Sequence, residues 1–264
     1  MRAAYYMGLI WEYFTNYMKT RLTYRADFWV EVISDLLFQA TNLIFIFVVF
    51  AHTETLGGFS EAEVIFVYGY FMIPYGLYSC FINLWNFGDR YIVKGEMDRI
   101  LTRPAHSLFQ IFLENLDPPS LIGSAIGLII MIWSGGQLGL EMEWWFIPVL
   151  ILLVIGSTLI YAGIYIILTS VSFYSDSPTG IIPLMVNIQT YGRYPITIYN
   201  RVIQIILTWV LPFAFVGIYP AALFLGRQEM LTMAWLTPVM GLVFFTASLL
   251  LWNTGVKRYR GAGS

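Results

Sequence analysis

Charge is scarce in this chain of 264 residues: Lys and Arg number 14, Asp and Glu 16, and together they make up 11% of the sequence, against about a quarter in soluble domains. With 58% hydrophobic residues and a mean hydropathy of +0.70, there are too few polar side chains to cover a water-facing surface. The surplus apolar surface must face lipid, which excludes a soluble enzyme or a nucleic-acid-binding module. Cysteine is nearly absent: Cys80 stands alone, so there is no intrachain disulfide. The only histidines are His52 and His106, and no Cys/His cluster offers metal-ligand spacing. Phosphate-cradling loops are missing as well. Neither G-x-x-x-x-G-K-[ST] nor G-x-G-x-x-G occurs, so no cofactor, nucleotide or metal is expected on this chain. The first residues mix Glu12, Lys19, Arg21 and Arg25 with aromatics and lack an apolar core ending in small residues, so no cleavable signal peptide is expected.

What the chain has instead is long uncharged runs. A bilayer-crossing helix needs about 20 mostly apolar residues, and Val64–Gly88, Pro118–Leu140, Trp144–Ser175, Val202–Gly226 and Met230–Val256 are free of Asp, Glu, Lys and Arg. Val32–Ala51 joins them if Asp35 is tolerated. With the amino terminus inside, the cytoplasmic face collects Arg2, Lys19, Arg21, Arg25, Arg90, Lys94, Arg99, Arg103, Lys257, Arg258 and Arg260. The opposite loops, His52–Glu63 and Ser134–Glu143, contain no Lys or Arg but carry Glu54, Glu61, Glu63, Glu141 and Glu143, as the positive-inside rule requires. Two cytoplasmic termini demand an even number of spans, most simply six.

The fifth span has two candidates, Ser177–Gly192 and Val202–Gly226, and the choice moves Arg193 and Arg201 across the membrane. Charge counting favours the second. Pro195, Pro212 and Pro220, however, break that region into short helical pieces, as in a re-entrant element. Residues 4–22 place Tyr6, Ile10, Tyr13, Phe14 and Tyr17 on one helical face and Glu12, Thr15, Asn16 and Lys19 on the other, which predicts an amphipathic interfacial helix. Between the second and third spans, Asp89–Asp117 is polar, then semi-apolar from Leu108 to Leu116, and closes on Asp117-Pro118-Pro119, where one helix stops and another begins.

Asp27, Glu31, Asp35 and Gln39 recur every four residues and share one face of the helix entering the first span. They read either as the lining of a translocation path or proton site, or as an interfacial acidic stripe paired with cytoplasmic cations; Asp35 lies a turn deeper than Glu31. Asp176, in Ser175-Asp176-Ser177-Pro178, suits a helix cap at a cytoplasmic loop. Ser134-Gly135-Gly136-Gln137 reads as a turn on the outer face. Tyr5, Tyr6, Trp11, Trp85, Trp144, Trp145, Trp235 and Trp252 fall where interfacial aromatic belts belong.

Gly95-Glu96-Met97-Asp98-Arg99-Ile100-Leu101-Thr102-Arg103-Pro104, followed by Leu108-Phe109-Gln110, resembles the G-x-[LMF]-D-x-L-L-x-R-P stretch of a branch of the type-2 ABC transporter permeases. Arg193-Tyr194-Pro195-Ile196-Thr197-Ile198-Tyr199, with Leu211-Pro212-Phe213-Ala214-Phe215-Val216 and Tyr219-Pro220-Ala221, is similar to the same branch's R-[YF]-P-x-x-I-Y … P-x-A-F-V … Y-P pattern. Asn200 departs from it, standing where proline is frequent. The ending Arg258-Tyr259-Arg260-Gly261 is similar too, so the likeness runs over nearly the whole chain.

The resemblance implies an all-α polytopic membrane protein with an interfacial helix at 1–26 and a single six-span domain at 27–260. Its spans lie at about 28–51, 63–87, 118–135, 144–172, 177–193 and 232–254, with a coupling loop at 88–117 and a re-entrant segment at 195–226 that carries Pro195, Pro212 and Pro220, with Arg193 just before it. It further implies a non-catalytic permease of an ATP-driven exporter in a bacterial cytoplasmic membrane, pairing with itself or a sibling and with separate ATPase subunits that hold the ATP and Mg. Gly95, Glu96, Asp98, Arg99, Arg103, Pro104, Leu108, Phe109 and Phe112 would couple to the ATPase, the apolar members as knobs entering its groove. Glu31, Asp35 and Gln39 are the candidate path. The alternative is an ion-coupled carrier or membrane-embedded enzyme using Asp35. Against it, no span carries paired catalytic groups.

Overall fold

A computed structural model describes Gly8, residues 11–13, Thr15, Tyr17 and Lys19, and then 25–141, 143–174 and 181–259, apart from the side chains of Arg25, Asp27 and Ile181. Asp176 and most of the expected interfacial helix lie outside these residues. The described residues between Gly8 and Lys19 are helical, with Tyr13 and Tyr17 half-buried and Glu12 and Lys19 exposed.

The described chain is all α, with one isolated bridge between Leu56 and Phe59. Five helices are long and apolar enough to cross a membrane. They are α1 (Arg25–Phe50), α2 (Glu61–Phe81), α5 (Ser120–Gln137), α6 (Phe146–Val171) and α10 (Leu231–Arg258). Between α2 and α5 come a π-helix at Gly88–Val93, α3 (Glu96–Leu101) and α4 (Ser107–Glu114). Between α6 and α10 the chain breaks into short pieces: α7 (Ile181–Gln189), 3-10 turns at Thr190–Arg193 and Ile196–Ile198, α8 (Arg201–Ile205), a π-helix at Ile206–Val210, a 3-10 turn at Phe213–Val216 and α9 (Ile218–Phe224). The nine residues of α7 and the four after it rise only about 20 Å at 1.5 Å per residue, short of a hydrocarbon core of about 30 Å.

The span ends follow local chemistry. Ser60 starts α2 with a capping box, its hydroxyl accepting from Glu63 N–H while the Glu63 carboxylate accepts from Ser60 N–H at 2.8 Å. Ser134-Gly135-Gly136-Gln137 is the last turn of α5 and not a loop. The helix ends at Gln137, and Gly139, two residues on, takes a φ of +67° that turns the chain.

Two close helix pairs form the body, α2 with α5 and α6 with α10. Small residues make both possible. A Cβ on Gly127 of α5 would come within 2.6 Å of the Gly69 carbonyl of α2, and a Cβ on Gly241 of α10 would come within 2.5 Å of the Gly156 carbonyl of α6. Backbones touch there, as dispersion-driven packing in lipid favours. α1 is different: 11% of its apolar window is buried, against 72% for α2. It leans on α2 and α5 along one edge and leaves Leu37, Phe38, Ile44 and Val48 exposed.

Between the pairs sits an aromatic layer. Tyr78 stacks on Tyr161 and Tyr165 at 5.5 and 4.8 Å, and Phe213 meets Tyr161 at 6.0 Å. Trp252 corrects the belt assignment: it is fully buried, edge-on to Phe87 and Phe173, with its indole N–H donating to Ser107 Oγ at 3.1 Å. Trp85, Trp144 and Trp235 are exposed, as belt residues are.

Candidate functional site

The segment between α2 and α5 is a compact helical hairpin. Gly95 holds φ +73°, a left-handed conformation that costs an L-residue with a Cβ about 1 kcal/mol or more, and it redirects the chain from the π-helix into α3. The buried Gln110 of α4 donates to the carbonyls of Ile100 and Ala105 at 3.2 and 2.9 Å, which pins α4 against the end of α3. Asp117 N–H donates to Cys80 C=O at 2.9 Å, so the hairpin's exit is tied to the end of α2.

Its centre is Glu114, whose side chain is only 6% exposed. Both guanidinium amino groups of Arg99 reach it, one to each carboxylate oxygen at 2.8 Å. Tyr13 and Tyr91 donate hydroxyls to it at 3.0 and 3.1 Å. Arg90 and Arg103 lie 3.6 and 3.7 Å away. Burial opposes the ionised form of Glu114, but the hydrogen bonds and charge of Arg99, with the two tyrosine hydroxyls, outweigh it and hold the carboxyl below the usual carboxylate range. The same pair raises Arg99, hydrogen bonding to Glu114 being the main cause. Burial and then the Glu114 charge push both tyrosines upward, so they remain donors at neutral pH. Glu96 adds a second layer, accepting from Arg90 at 2.9 Å and Arg99 at 3.3 Å, and Asn115 joins Arg90 to Tyr91. Three basic residues 4 to 13 positions apart thus converge on one acid.

The coupling residues named from the sequence divide accordingly. Glu96, Arg99 and Arg103 serve this internal network, Arg103 also donating to the Tyr13 hydroxyl. Asp98, Arg103 and Pro104 are exposed, and with Leu101, Thr102 and His106 they form the hairpin tip. Leu108 is 2% exposed and turned into the chain's own core, which corrects its role as a groove-entering knob; Phe109 and Phe112 are half-buried. The amphipathic turn of α4 puts Leu108 and Ile111 on the inner face because a helix this short has only one apolar side to bury. Glu114 itself lay outside the sequence motif.

Glu31, Asp35 and Gln39 all line one cavity of about 270 Å³ between α1, α2, α5 and α7, together with Tyr75, Ser79 and Tyr165. Gln39 marks its far wall, where its side-chain oxygen accepts from Tyr68. At the other end of the same cavity are Trp85, Asn83 and Asp117.

Past α7, Arg193 is 6% exposed, its Nε donating to Thr190 C=O at 3.1 Å and its guanidinium lying 5.7 Å from the centre of the Phe71 ring. Pro195, Pro212 and Pro220 are buried. Asn200 caps α8, its Oδ1 accepting from Ile203 N–H at 3.0 Å, which gives the departure from proline a structural reason. The segment begins beside the α1–α2 loop, where Thr197 donates to Gly57 C=O at 2.7 Å, reaches Tyr161 in mid-α6 through Phe213, and returns to Trp145 through Phe224. There Arg227 forks onto Glu63 at 2.7 and 2.8 Å, donates to Gly58 C=O, and stacks 4.5 Å over Phe59.

Among the described residues no three His, Cys, Asp or Glu side chains gather as metal ligands would. No curated protein and no solved structure matches the chain. Over residues 36–263, however, it matches the family described as ABC-2 family transporter protein. That stretch takes in the buttressed hairpin, the cavity wall from Leu36 onward and the broken segment before α10, and the chain belongs to the ABC-2 transporter family as one of its membrane proteins.

Proposed function

We propose that this chain is the permease of an ATP-driven exporter in a bacterial cytoplasmic membrane, working as one of a pair of permeases, identical or sibling, with two separate ATPase subunits that hold ATP and Mg. The observation that carries it is the α3–α4 hairpin: an exposed tip at 101–106 mounted on a frame braced by Glu114. A loop that only fixed topology would need basic residues but no buried ion-pair hub. A tip that receives force from a moving partner needs a stiff base, and several charge-assisted hydrogen bonds sharing one acceptor supply it.

In this reading both termini and the hairpin face the cytoplasm and the Arg227–Glu63 fork faces outward. Residues 177–193 then supply the fifth crossing and 195–226 a re-entrant segment, of which Phe213–Val216 and Ile218–Phe224 are buried against α2, α6 and α10. Irregular backbone at membrane depth is tolerated when protein surrounds it.

Purification of the tagged chain from its native membrane, with identification of what accompanies it, tests the proposal. The expected result is an ATPase subunit whose recovery is lost with Leu101→Asp, a change at an exposed residue of the tip. Recovery of the chain without an ATPase, and no ATP-dependent flux, overturns it.

A further inference from the structure

We propose that the cavity between α1, α2, α5 and α7 binds a lipophilic organic cation, with Asp35 as its counter-ion and Tyr75, Tyr78 and Trp85 as its aromatic walls. As a statement about cargo this rests on the permease reading. As a statement about a site it stands on the cavity alone.

Asp35 is the eighth residue of the apolar stretch Phe28–Phe50, about 10 Å from its end at 1.5 Å per residue. It makes no hydrogen bond or ion pair among the described residues. A carboxylate at that depth is costly unless something positive neutralises it. Glu31, one turn earlier, and Asp117 line the same cavity, and none of the described side chains lining it is Lys or Arg. Asp35 therefore meets no Lys or Arg among the described residues of the lining.

The rest of the lining sets the ligand's second property. Tyr75, Tyr78, Tyr165, Trp85 and Phe38 come from three different helices and the turn after α2, and ring faces attract organic cations. Leu36 and Phe38 at the rim are exposed at 39% and 60%, as is Trp85 at 50%. On the side of α1 the rim of the opening is therefore apolar. A hydrated metal ion would lose its water shell there for an incomplete set of ligands, whereas an ammonium or pyridinium group carrying apolar substituents keeps its body in an apolar setting. At about 270 Å³ the space accepts an aromatic ring with a quaternary nitrogen.

The test uses the full chain, purified with the subunits that accompany it, in phosphatidylcholine nanodiscs. The fluorescent probe is a dimethylaminostyryl-N-methylpyridinium cation. Its displacement is compared for phenyltrimethylammonium and tert-butylbenzene, which share a shape and differ in charge. The expected result is saturable binding above empty discs, displacement at least tenfold stronger by the cation than by its neutral isostere, and a loss of affinity of at least tenfold in Asp35→Asn, with Asp35→Glu retaining it. Equal displacement by the neutral isostere, or unchanged affinity in Asp35→Asn, overturns the proposal. So does probe binding that does not exceed empty discs. The isostere comparison is made on the unmodified chain and does not depend on how any variant folds. An ATPase subunit recovered in the same preparation separates the two readings: present without cation binding, it retires the cation site and leaves the permease standing.

Discussion

Arg99 and Glu114 meet across the α3–α4 hairpin with both guanidinium amino groups engaged, 2.8 Å to each carboxylate oxygen, although 15 positions separate them in the chain. The fork geometry matches a carboxylate in a way that a lysine ammonium cannot. The pair is asymmetric in exposure, the acid almost enclosed and the arginine 42% open. The acid is therefore the costlier partner to change.

Glu114→Gln leaves Arg99 and Arg90 facing a neutral amide and should destabilise the chain by about 1–2 kcal/mol, a figure kept low because solvent reaches Arg99. Arg103→Gln removes only a 3.7 Å neighbour of that carboxylate and one bond to Tyr13, and about 0.5 kcal/mol is expected. Thermal melting of both variants in one detergent checks the ranking, and equal shifts would remove Glu114 from its central place.

The same carboxyl sets a pH dependence. Its value in the folded chain lies below the usual range, so ionised Glu114 contributes stability that is complete above the unfolded value of about 4.3. That contribution fades as pH falls through the folded value. Melting should therefore be flat in this respect from pH 7 down to about 5, with the difference between the unmodified chain and Glu114→Gln closing at lower pH. A difference that stays constant down to pH 3 would contradict the assignment.

The hub also shows where the sequence was silent. Charge-free runs located α1, α2, α5, α6 and α10 to within a few residues at most ends, because a bilayer filters composition strongly. The motif Gly95 to Pro104 located the hairpin, its first glycine taking the positive φ of the turn. Glu114 was hidden in a stretch that reads as semi-apolar, since nothing in a linear spacing says which acid a tight turn will bring under three arginines. Trp252 misled for a related reason: its position near a span end fits a belt, and only its packing against Phe87 and Phe173 and its bond to Ser107 at the start of α4 show that this end is covered. The acidic stripe was legible as a stripe, and its cavity needed the facing residues of α2 to appear.

At the opposite end of the bundle, Arg227→Lys should cost about 1–3 kcal/mol, because the lysine loses the two-oxygen grip on Glu63 and the stacking over Phe59. A double-mutant cycle of Arg227→Ala with Glu63→Ala should give strongly non-additive melting shifts. Additive shifts would mean that the two side chains contribute independently.

Packing density along the α2–α5 seam predicts a contrast between glycines of one helix. Gly127→Ala forces a Cβ against the Gly69 carbonyl and should destabilise by about 1–3 kcal/mol. Gly136→Ala meets nothing within 4 Å and should be neutral or gain up to about 1 kcal/mol from helix propensity. Melting of the two single variants decides it, and similar losses at both would argue against backbone contact at Gly127.

That seam has a mechanical meaning. The hairpin is fastened at one end to α2 and at the other to α5, and those two helices touch backbone to backbone at Gly69 and Gly127. A push on the tip at 101–106 thus arrives on a double-width beam with no soft side-chain layer to absorb it. α1, held along one edge, is the piece able to yield, so displacement of the beam would be spent on widening or narrowing the gap beneath Asp35.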